Sequence, residues 1–378
     1  MHSKISWSRF LAILIKEFRQ MRRDRLTFAM MVGVPIMQLI LFGFAINTDP
    51  KHLPLAAVIA DESEFSRSFV AGLENSQYFR VTHRPGSEAE ANRLLAEGQV
   101  QFVLVIPPDF SRRLVRGERP AVLLAADATD PAASGNALAA LNNISRQTLA
   151  HDLTGSLARL QSASDPFELR VQRRYNPEGL SRYNIVPGLM GVILTMTMVM
   201  MTSLAMTRER ERGTMENLLA TPVRPFEVMV GKIAPYILIG YVQVAVILSA
   251  AHFLFDVPMV GSLALLSAAL VVFMAANLAV GFTFSTLAKN QLQAMQLTFF
   301  FFLPSLLLSG FMFPFRGMPV WAQTIGEALP LTHFLRIVRG ILLKGNGWSE
   351  IVPNLWPIAL FMLVAGVVAL KRYRQTLD

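Results

Sequence analysis

The sequence contains no cysteine, and this absence removes several classes of function at once. A chain without thiols has no disulfide framework, no cysteine nucleophile and no cysteine-ligated zinc or iron–sulfur site. Charged residues are also scarce, at 16% of the 378 residues, whereas soluble domains carry about 25%. This scarcity excludes a disordered chain and argues against an ordinary cytosolic enzyme.

Catalytic and nucleotide-binding motifs are missing as well. The pattern G-x-x-x-x-G-K-[ST], which holds phosphates in many ATPases, does not occur, and the 6 histidines include no H-E-x-x-H pair. We therefore expect no catalytic site, no metal site and no cofactor site in this chain. ATP is not expected to bind to it through a phosphate loop.

What the sequence has instead is long apolar runs without Asp, Glu, Lys or Arg. A helix crosses ~30 Å of hydrocarbon with about 20 apolar residues. Six runs are long enough to cross a membrane, and they lie at 26–46, 183–207, 233–255, 262–288, 290–313 and 351–370. The alternative, six buried core helices of a soluble protein, is disfavoured because six such runs in one chain would be exceptional.

Few polar side chains interrupt these runs. The amides within them are Gln38, Gln243, Asn277, Gln293 and Gln296. Such groups more often form hydrogen bonds between helices than line a pore. A proton- or sodium-coupled carrier is disfavoured because it usually places charged residues inside its spans.

The distribution of Lys and Arg predicts the orientation of the spans. Basic residues concentrate in 1–25, in the loop 207–232 and in the C-terminal tail, which places these segments in the cytoplasm. The segments 47–182 and 316–350 are then outside. The last segment departs from this rule, because it contains the basic residues Arg316, Arg336, Arg339 and Lys344.

The net charge of +9 does not indicate a nucleic-acid partner. Segment 47–182 holds 15 basic and 16 acidic residues, so the basic excess lies beside the predicted spans. Anionic lipid headgroups attract basic residues at that position. Residues 1–25 include an amphipathic helix over 5–22, which is suited to lying in the membrane interface.

Segment 47–182 is predicted to be an α/β domain. Its predicted strands are Leu55–Ala60, Phe79–Thr82, Val100–Ile106, Ala121–Ala126 and Glu168–Arg174. Predicted helices alternate with them at Ser63–Glu74, Ser87–Ala96, 107–116 and 132–160. This alternation favours a parallel or mixed sheet. Asp61, Asp127 and Asp130 follow strand ends, and ligands of α/β domains often bind at strand ends. Asp is also a common turn and cap residue, which is the structural alternative.

Two further segments shape the predicted membrane domain. Segment 316–350 is broken by prolines, and we expect Val320–Ala328 and Leu331–Leu342 to be short re-entrant helices at the outer face. In the loop 207–232, alternating charges end at Gly213, and a short helix capped by Thr214 is predicted to follow. A short helix tied to a span transmits the movement of a partner; the alternative is a plain polar loop.

The letters RERERGTMENLL at Arg208–Leu219 resemble a signature of type 2 ABC-transporter permeases. Lys16–Arg25, Thr221-Pro222, Leu308–Gly310 and Leu329-Pro330 are similar to motifs of the same family. Together they predict an α-helical polytopic membrane protein with six transmembrane helices and an inserted α/β extracytoplasmic domain.

The resemblance implies the permease subunit of an ATP-binding-cassette exporter in a bacterial inner membrane. Such a subunit moves a drug-like or amphiphilic substrate outward, and a separate ATP-binding subunit supplies the ATPase activity. Further implied partners are a second permease subunit, in a homodimer or a heterodimer, and a periplasmic adaptor protein. The implied ATPase-coupling residues are Arg208, Glu209, Arg210, Glu211, Arg212, Gly213, Thr214, Met215 and Glu216. The alternative is a membrane-anchored scaffold or sensor that binds a partner through 47–182.

Overall fold

The computed structural model of the protein describes residues 50–149, 152–153, 155–158, 166–212 and 225–372. The interfacial helix predicted over 1–25 and the first span predicted over 26–46 lie outside this part of the chain. A sixth span therefore stays a prediction.

A five-stranded mixed sheet forms the α/β region. Its strands are β1 (Leu53–Ile59), β2 (Phe79–His83), β3 (Phe102–Ile106), β4 (Ala121–Asp127) and β5 (Glu168–Arg174), in the spatial order β2-β1-β3-β4-β5. The β3–β4 pair is antiparallel and the other three pairs are parallel. Each strand overlaps the range predicted for it, and β5, which is mostly polar, is an exposed edge strand.

Helices cover both faces of this sheet. The four helices are α1 (Glu64–Asn75), α2 (Glu88–Ala96), α3 (Phe110–Val115) and α4 (Pro131–Thr148). Successive residues of a strand point to opposite faces. Leu55 of β1 accordingly packs in the larger core with α1, α3 and α4, whereas Ala56 packs in the smaller core with α2.

Serine residues begin two of these helices, as predicted. The Ser63 side chain accepts a hydrogen bond from Ser66 N, and the Ser87 side chain accepts one from Glu90 N, each at 3.3 Å. The Glu90 carboxylate accepts from Gly86 N rather than from the cap residue itself. Both serines satisfy amide groups that have no partner within their own helix.

The long helix predicted over 132–160 is wrong in its C-terminal half. Helix α4 ends at Thr148, and the next described element is a 3₁₀ turn at Gly155–Leu157. Gly155 has φ of +61°, a backbone conformation outside the right-handed helix. An uninterrupted helix cannot pass through such a residue.

Five helices in the described part of the chain are long and apolar enough to span a membrane. They are α5 (Ser181–Glu211), α6 (Pro225–Phe253), α7 (Leu263–Leu287), α8 (Gln291–Leu308) and α11 (Trp348–Arg372). The segment 316–350 is called the outer segment, after its predicted position. The prediction of a helix over 290–313 is too long, because the backbone leaves the helix near Gly310, where φ is +83°.

Helix α7 lies at the centre of the membrane domain. It packs against the spans α5 and α11, and its residues Phe273, Met274 and Asn277 are buried. Helices α6 and α11 instead expose apolar side chains, such as Leu238 and Leu363. Exposed apolar faces on spanning helices suit contact with lipid, whereas α7 is shielded by protein.

Two short helices, α9 (Val320–Glu327) and α10 (Pro330–Arg339), occupy the segment predicted to be re-entrant. A π-helical turn follows at Gly340–Lys344, so the second predicted helix, Leu331–Leu342, is not α-helical to its end. Helix α10 is buried, and its Phe334 ring stacks on Phe273 with ring centroids 4.1 Å apart. This packing fixes the outer segment to the central span.

Candidate functional site

The predicted coupling segment is partly described. Residues 208–211 form the last turn of α5, and Arg212 follows in a turn, whereas Gly213, Thr214, Met215 and Glu216 lie outside the described residues. Helix α6 begins at Pro225, eight residues before the span predicted at 233. The loop is therefore shorter than the predicted 207–232, because both flanking helices extend beyond their apolar spans.

The charged end of α5 is open to solvent. Arg208, Glu211 and Arg212 have exposed side chains, and Glu209 is half-buried. Arg210 lies within the same helical turn. An exposed turn of mixed charge is available for contact with a charged partner surface.

Glu211 connects this turn to another span. Its carboxylate accepts hydrogen bonds from the backbone N of Gln291 at 2.8 Å and from Gln291 Nε2 at 2.5 Å. The bonds from Gln291 lower the pKa of Glu211. A carboxylate at a helix N-terminus also interacts favourably with the helix dipole. The end of α5 and the start of α8 are thus joined at one membrane face.

Polar groups inside the spans form mostly local contacts. The Thr197 hydroxyl donates to Gln243 Oε1 at 3.0 Å and joins α5 to α6, as the prediction of interhelical hydrogen bonds requires. Asn277 instead donates to Phe273 O in its own helix. Gln293 accepts from the backbone of Lys289 at the start of α8.

At the opposite end of the membrane domain, basic side chains of the outer segment contact the sheet region. Lys344 Nζ lies 2.5 Å from Asp127 Oδ2, and the two side chains are 8% and 10% exposed. Lys344 also donates to Leu95 O at the end of α2. Arg316 donates to Gly98 O at 2.7 Å. These contacts account for two of the four basic residues by which the outer segment departs from the usual distribution.

The three strand-end aspartates have structural roles, as the turn-and-cap interpretation predicts. Asp61 accepts from the Ser111 backbone and hydroxyl, both at 2.7 Å. Asp127 forms the ion pair with Lys344. Asp130 caps α4 through Ala132 N. Burial raises the pKa of Asp130, although the charge of Arg339 opposes this shift. No cluster of three metal-ligating side chains occurs in the described residues.

Between the sheet region and the outer segment lies a cavity of about 410 Å³. Residues of both parts line it, including Asp127 and Asp130 on one side and Arg316 and Arg339 on the other. No pattern in the sequence predicts that these residues lie close together. The unexpected basic residues of 316–350 are the sequence feature that points to this site, and they do not indicate which residues they contact.

The family model that matches this chain is described as ABC-2 family transporter protein, and it covers residues 25–371. The chain belongs to the ABC-2 transporter family. Members of this family are the membrane subunits of transporters, so the chain is a permease subunit and not an enzyme. The alternative of a scaffold or sensor is therefore wrong.

Curated relatives match along nearly their whole length. The probable multidrug ABC transporter permease YbhS of Escherichia coli is 30% identical, with 98% of each chain covered. The probable multidrug ABC transporter permease YbhR is 27% identical, with 97% of this chain and 98% of the relative covered. The inner membrane transport permease YhhJ is 30% identical, with 96% of each chain covered.

Proposed function

We propose that this chain is the permease subunit of an exporter that carries drug-like or amphiphilic molecules out across the bacterial inner membrane. Family membership and the names of the relatives support this proposal. The absence of a phosphate-loop motif from the sequence means that ATP hydrolysis belongs to a separate ATP-binding subunit. A second permease subunit completes the pathway.

The observation that carries the coupling mechanism is the contact between Glu211 and Gln291. An ATP-binding subunit docks on the charged turn at 208–211 and on the loop that follows it. Movement of this turn pulls on α8, because the Glu211 carboxylate holds both the backbone and the side chain of Gln291. Two spans then move together when the partner hydrolyses ATP.

The proposed orientation places 208–216 in the cytoplasm and the sheet region outside. Of the four basic residues that would contradict this orientation, Arg316 and Lys344 contact the sheet region, and Arg336 pairs with Glu327. Contacts within the chain therefore account for the position of these residues. The positive-inside rule then applies to the remaining flanking residues.

The test is purification of the tagged full-length chain in mild detergent, followed by identification of the co-purifying proteins. We expect an ATP-binding-cassette ATPase in stoichiometric amount, and ATP hydrolysis by the complex but not by the lone chain. Inverted membrane vesicles containing the complex should accumulate a fluorescent amphiphilic dye on addition of ATP. Hydrolysis by the lone chain, or ATP-driven loss of dye from such vesicles, would contradict the proposal.

A further inference from the structure

The cavity between the sheet region and the outer segment combines charge with apolar surface. Its charged lining includes Arg316 and Arg339, and its apolar lining includes Phe315, Leu335 and Ile351. A volume of about 410 Å³ lies within the ~300–1,000 Å³ range of small-molecule sites. Such a mixed lining fits a ligand that has a polar head and an apolar body.

Every carboxylate in this cavity already has donors. Asp127 pairs with Lys344. Glu327 receives two hydrogen bonds from Arg336, at 3.0 and 2.6 Å. The remaining carboxylates accept from nearby groups: Asp130 from Ala132 N and Asn184 Nδ2, Glu97 from Gln99 Nε2, and Glu350 from Gly347 N.

The two remaining arginines have no such partner. Among the described residues, neither Arg316 nor Arg339 forms an ion pair with a carboxylate. Arg316 donates only to carbonyl oxygens, at Gly98 and Gln99. Arg339 reaches Gly310 O at 3.4 and 3.5 Å, which are long distances for a hydrogen bond.

Arg339 also carries an unpaired donor. Its Nε atom is shielded from solvent and has no hydrogen-bond partner among the described residues. Burial lowers the pKa of both Arg316 and Arg339, and the nearby charge of Asp127, joined at Arg339 by that of Asp130, offsets this only in part. A shielded guanidinium donor without an acceptor is unfavourable, and an incoming anionic oxygen would satisfy it.

We propose that this cavity binds the oxyanion head of an amphiphile, a phosphate or a carboxylate, through Arg316 and Arg339. The apolar part of the ligand lies against Phe315 and Leu335. The claim that such amphiphiles are the substrates of the transporter rests on the proposed function. The claim that the cavity binds them rests on the cavity alone. The site lies outside the spans, next to the sheet region.

Calorimetric titration of the purified full-length chain in amphipol tests the site without the ATPase subunit. The probe is dihexanoyl phosphatidylglycerol, with dihexanoyl phosphatidylcholine as the zwitterionic comparison and glycerol 3-phosphate as a head without chains. We expect the anionic lipid to bind about tenfold more tightly than either comparison, because the choline head adds a cation beside the two guanidinium groups and glycerol 3-phosphate has no chains to bury.

Variants identify the residues that hold the probe. Arg339→Gln and Arg316→Gln should each weaken binding of the anionic lipid by about tenfold, since each removes one charged donor. Arg339→Lys keeps the charge and should lose less affinity. Arg112→Gln is the matched control, because Arg112 is an exposed arginine that does not line the cavity. The Arg112→Gln variant should bind the anionic lipid as tightly as the unchanged protein does.

Several results would overturn the proposal. Equal affinity for the zwitterionic lipid would show that the net negative charge of the head is not recognised. Equal affinity for glycerol 3-phosphate would show that the ligand is a small oxyanion and not an amphiphile. Unchanged affinity in both glutamine variants would place the ligand elsewhere. Co-purification of the ATPase subunit with Arg339→Gln reports separately on the proposed function, so the two failures are distinguishable.

Discussion

Lys344 Nζ lies 2.5 Å from Asp127 Oδ2, although 217 residues separate the two in sequence. Asp127 ends strand β4, and Lys344 ends the π-helical turn that follows α10. The pair therefore links the sheet region to the helix that packs on the central span α7. Both side chains are nearly inaccessible to solvent, which makes this ion pair different in kind from those on the protein surface.

Removal of one partner of this pair should destabilise the protein. Lys344→Met leaves the Asp127 carboxylate shielded and without its cation, and Asp127→Asn leaves the lysine in the same situation. Each single change should cost about 3 kcal/mol or more of unfolding free energy. The measurement is the unfolding transition in detergent. The double variant, Asp127→Asn with Lys344→Met, should be less destabilised than either single variant because no charge remains buried.

The control for this experiment is an exposed pair in the same sheet region. Asp109 and Arg112 are 2.6 Å apart, with side chains that are 50% and 60% exposed. Asp109→Asn should cost under ~1 kcal/mol, because water replaces the lost contact. Equal destabilisation by Asp109→Asn and Asp127→Asn would show that burial of the Lys344 pair is energetically unimportant.

The contact between Glu211 and Gln291 predicts a pattern of transport activity. Gln291→Glu places two carboxylates face to face and should separate the ends of α5 and α8. We expect ATP-driven dye transport to fall, by no more than about fivefold, since exposed polar contacts are individually weak. The exchanged pair, Glu211→Gln with Gln291→Glu, restores a donor opposite an acceptor and should recover transport.

The measurement is dye uptake into inverted vesicles at matched protein levels. Loss of transport in the exchanged pair equal to that in Gln291→Glu alone would argue against a role for this contact in coupling.

A companion test uses the loop that the structure does not describe. Glu216→Arg should abolish transport and leave membrane insertion intact, because repulsion would prevent docking of the ATPase subunit.

The features that the sequence predicted correctly are those with a local cause. Spans such as Leu263–Leu287 are visible because a long apolar run is unusual in any other setting. Strand β3 is a short apolar run buried on both faces, and Ser87, with Glu90 three residues later, indicates a helix start through side-chain chemistry alone. In each case, neighbouring residues carry the whole signal.

The features that the sequence did not predict depend on distant contacts. Glu211 and Gln291 are 80 residues apart, and Glu211 was noted only as part of a charged segment. Lys344 was noted as a departure from the usual charge distribution, but no local pattern connects it to Asp127. The end of helix α4 at Thr148 was also missed, because the helix-forming residues continue beyond it.

Chemical labelling can test the orientation of the chain, which contains no cysteine of its own. Ala89→Cys lies on the exposed surface of α2, and Arg212→Cys directly follows the charged turn at 208–211 and is also exposed. An impermeant thiol reagent applied to spheroplasts should label only the first, and both after the membrane is opened. Labelling of Arg212→Cys in intact spheroplasts would contradict the cytoplasmic position of the coupling segment.

The close approach of α7 to α5 depends on the absence of a side chain at Gly281. A methyl group there would lie 2.6 Å from Val199 O and 2.9 Å from Thr202 Cβ, so the two spans would have to separate. Gly281→Ala should therefore destabilise the membrane domain by about 1–3 kcal/mol, as overpacking does in well-packed cores. Gly366→Ala is the matched control, because a methyl group on this residue of α11 would meet no atom within 4 Å. The two variants are compared by their unfolding midpoints in one detergent. Equal midpoints would show that α5 and α7 tolerate a wider separation than their contact at Gly281 implies.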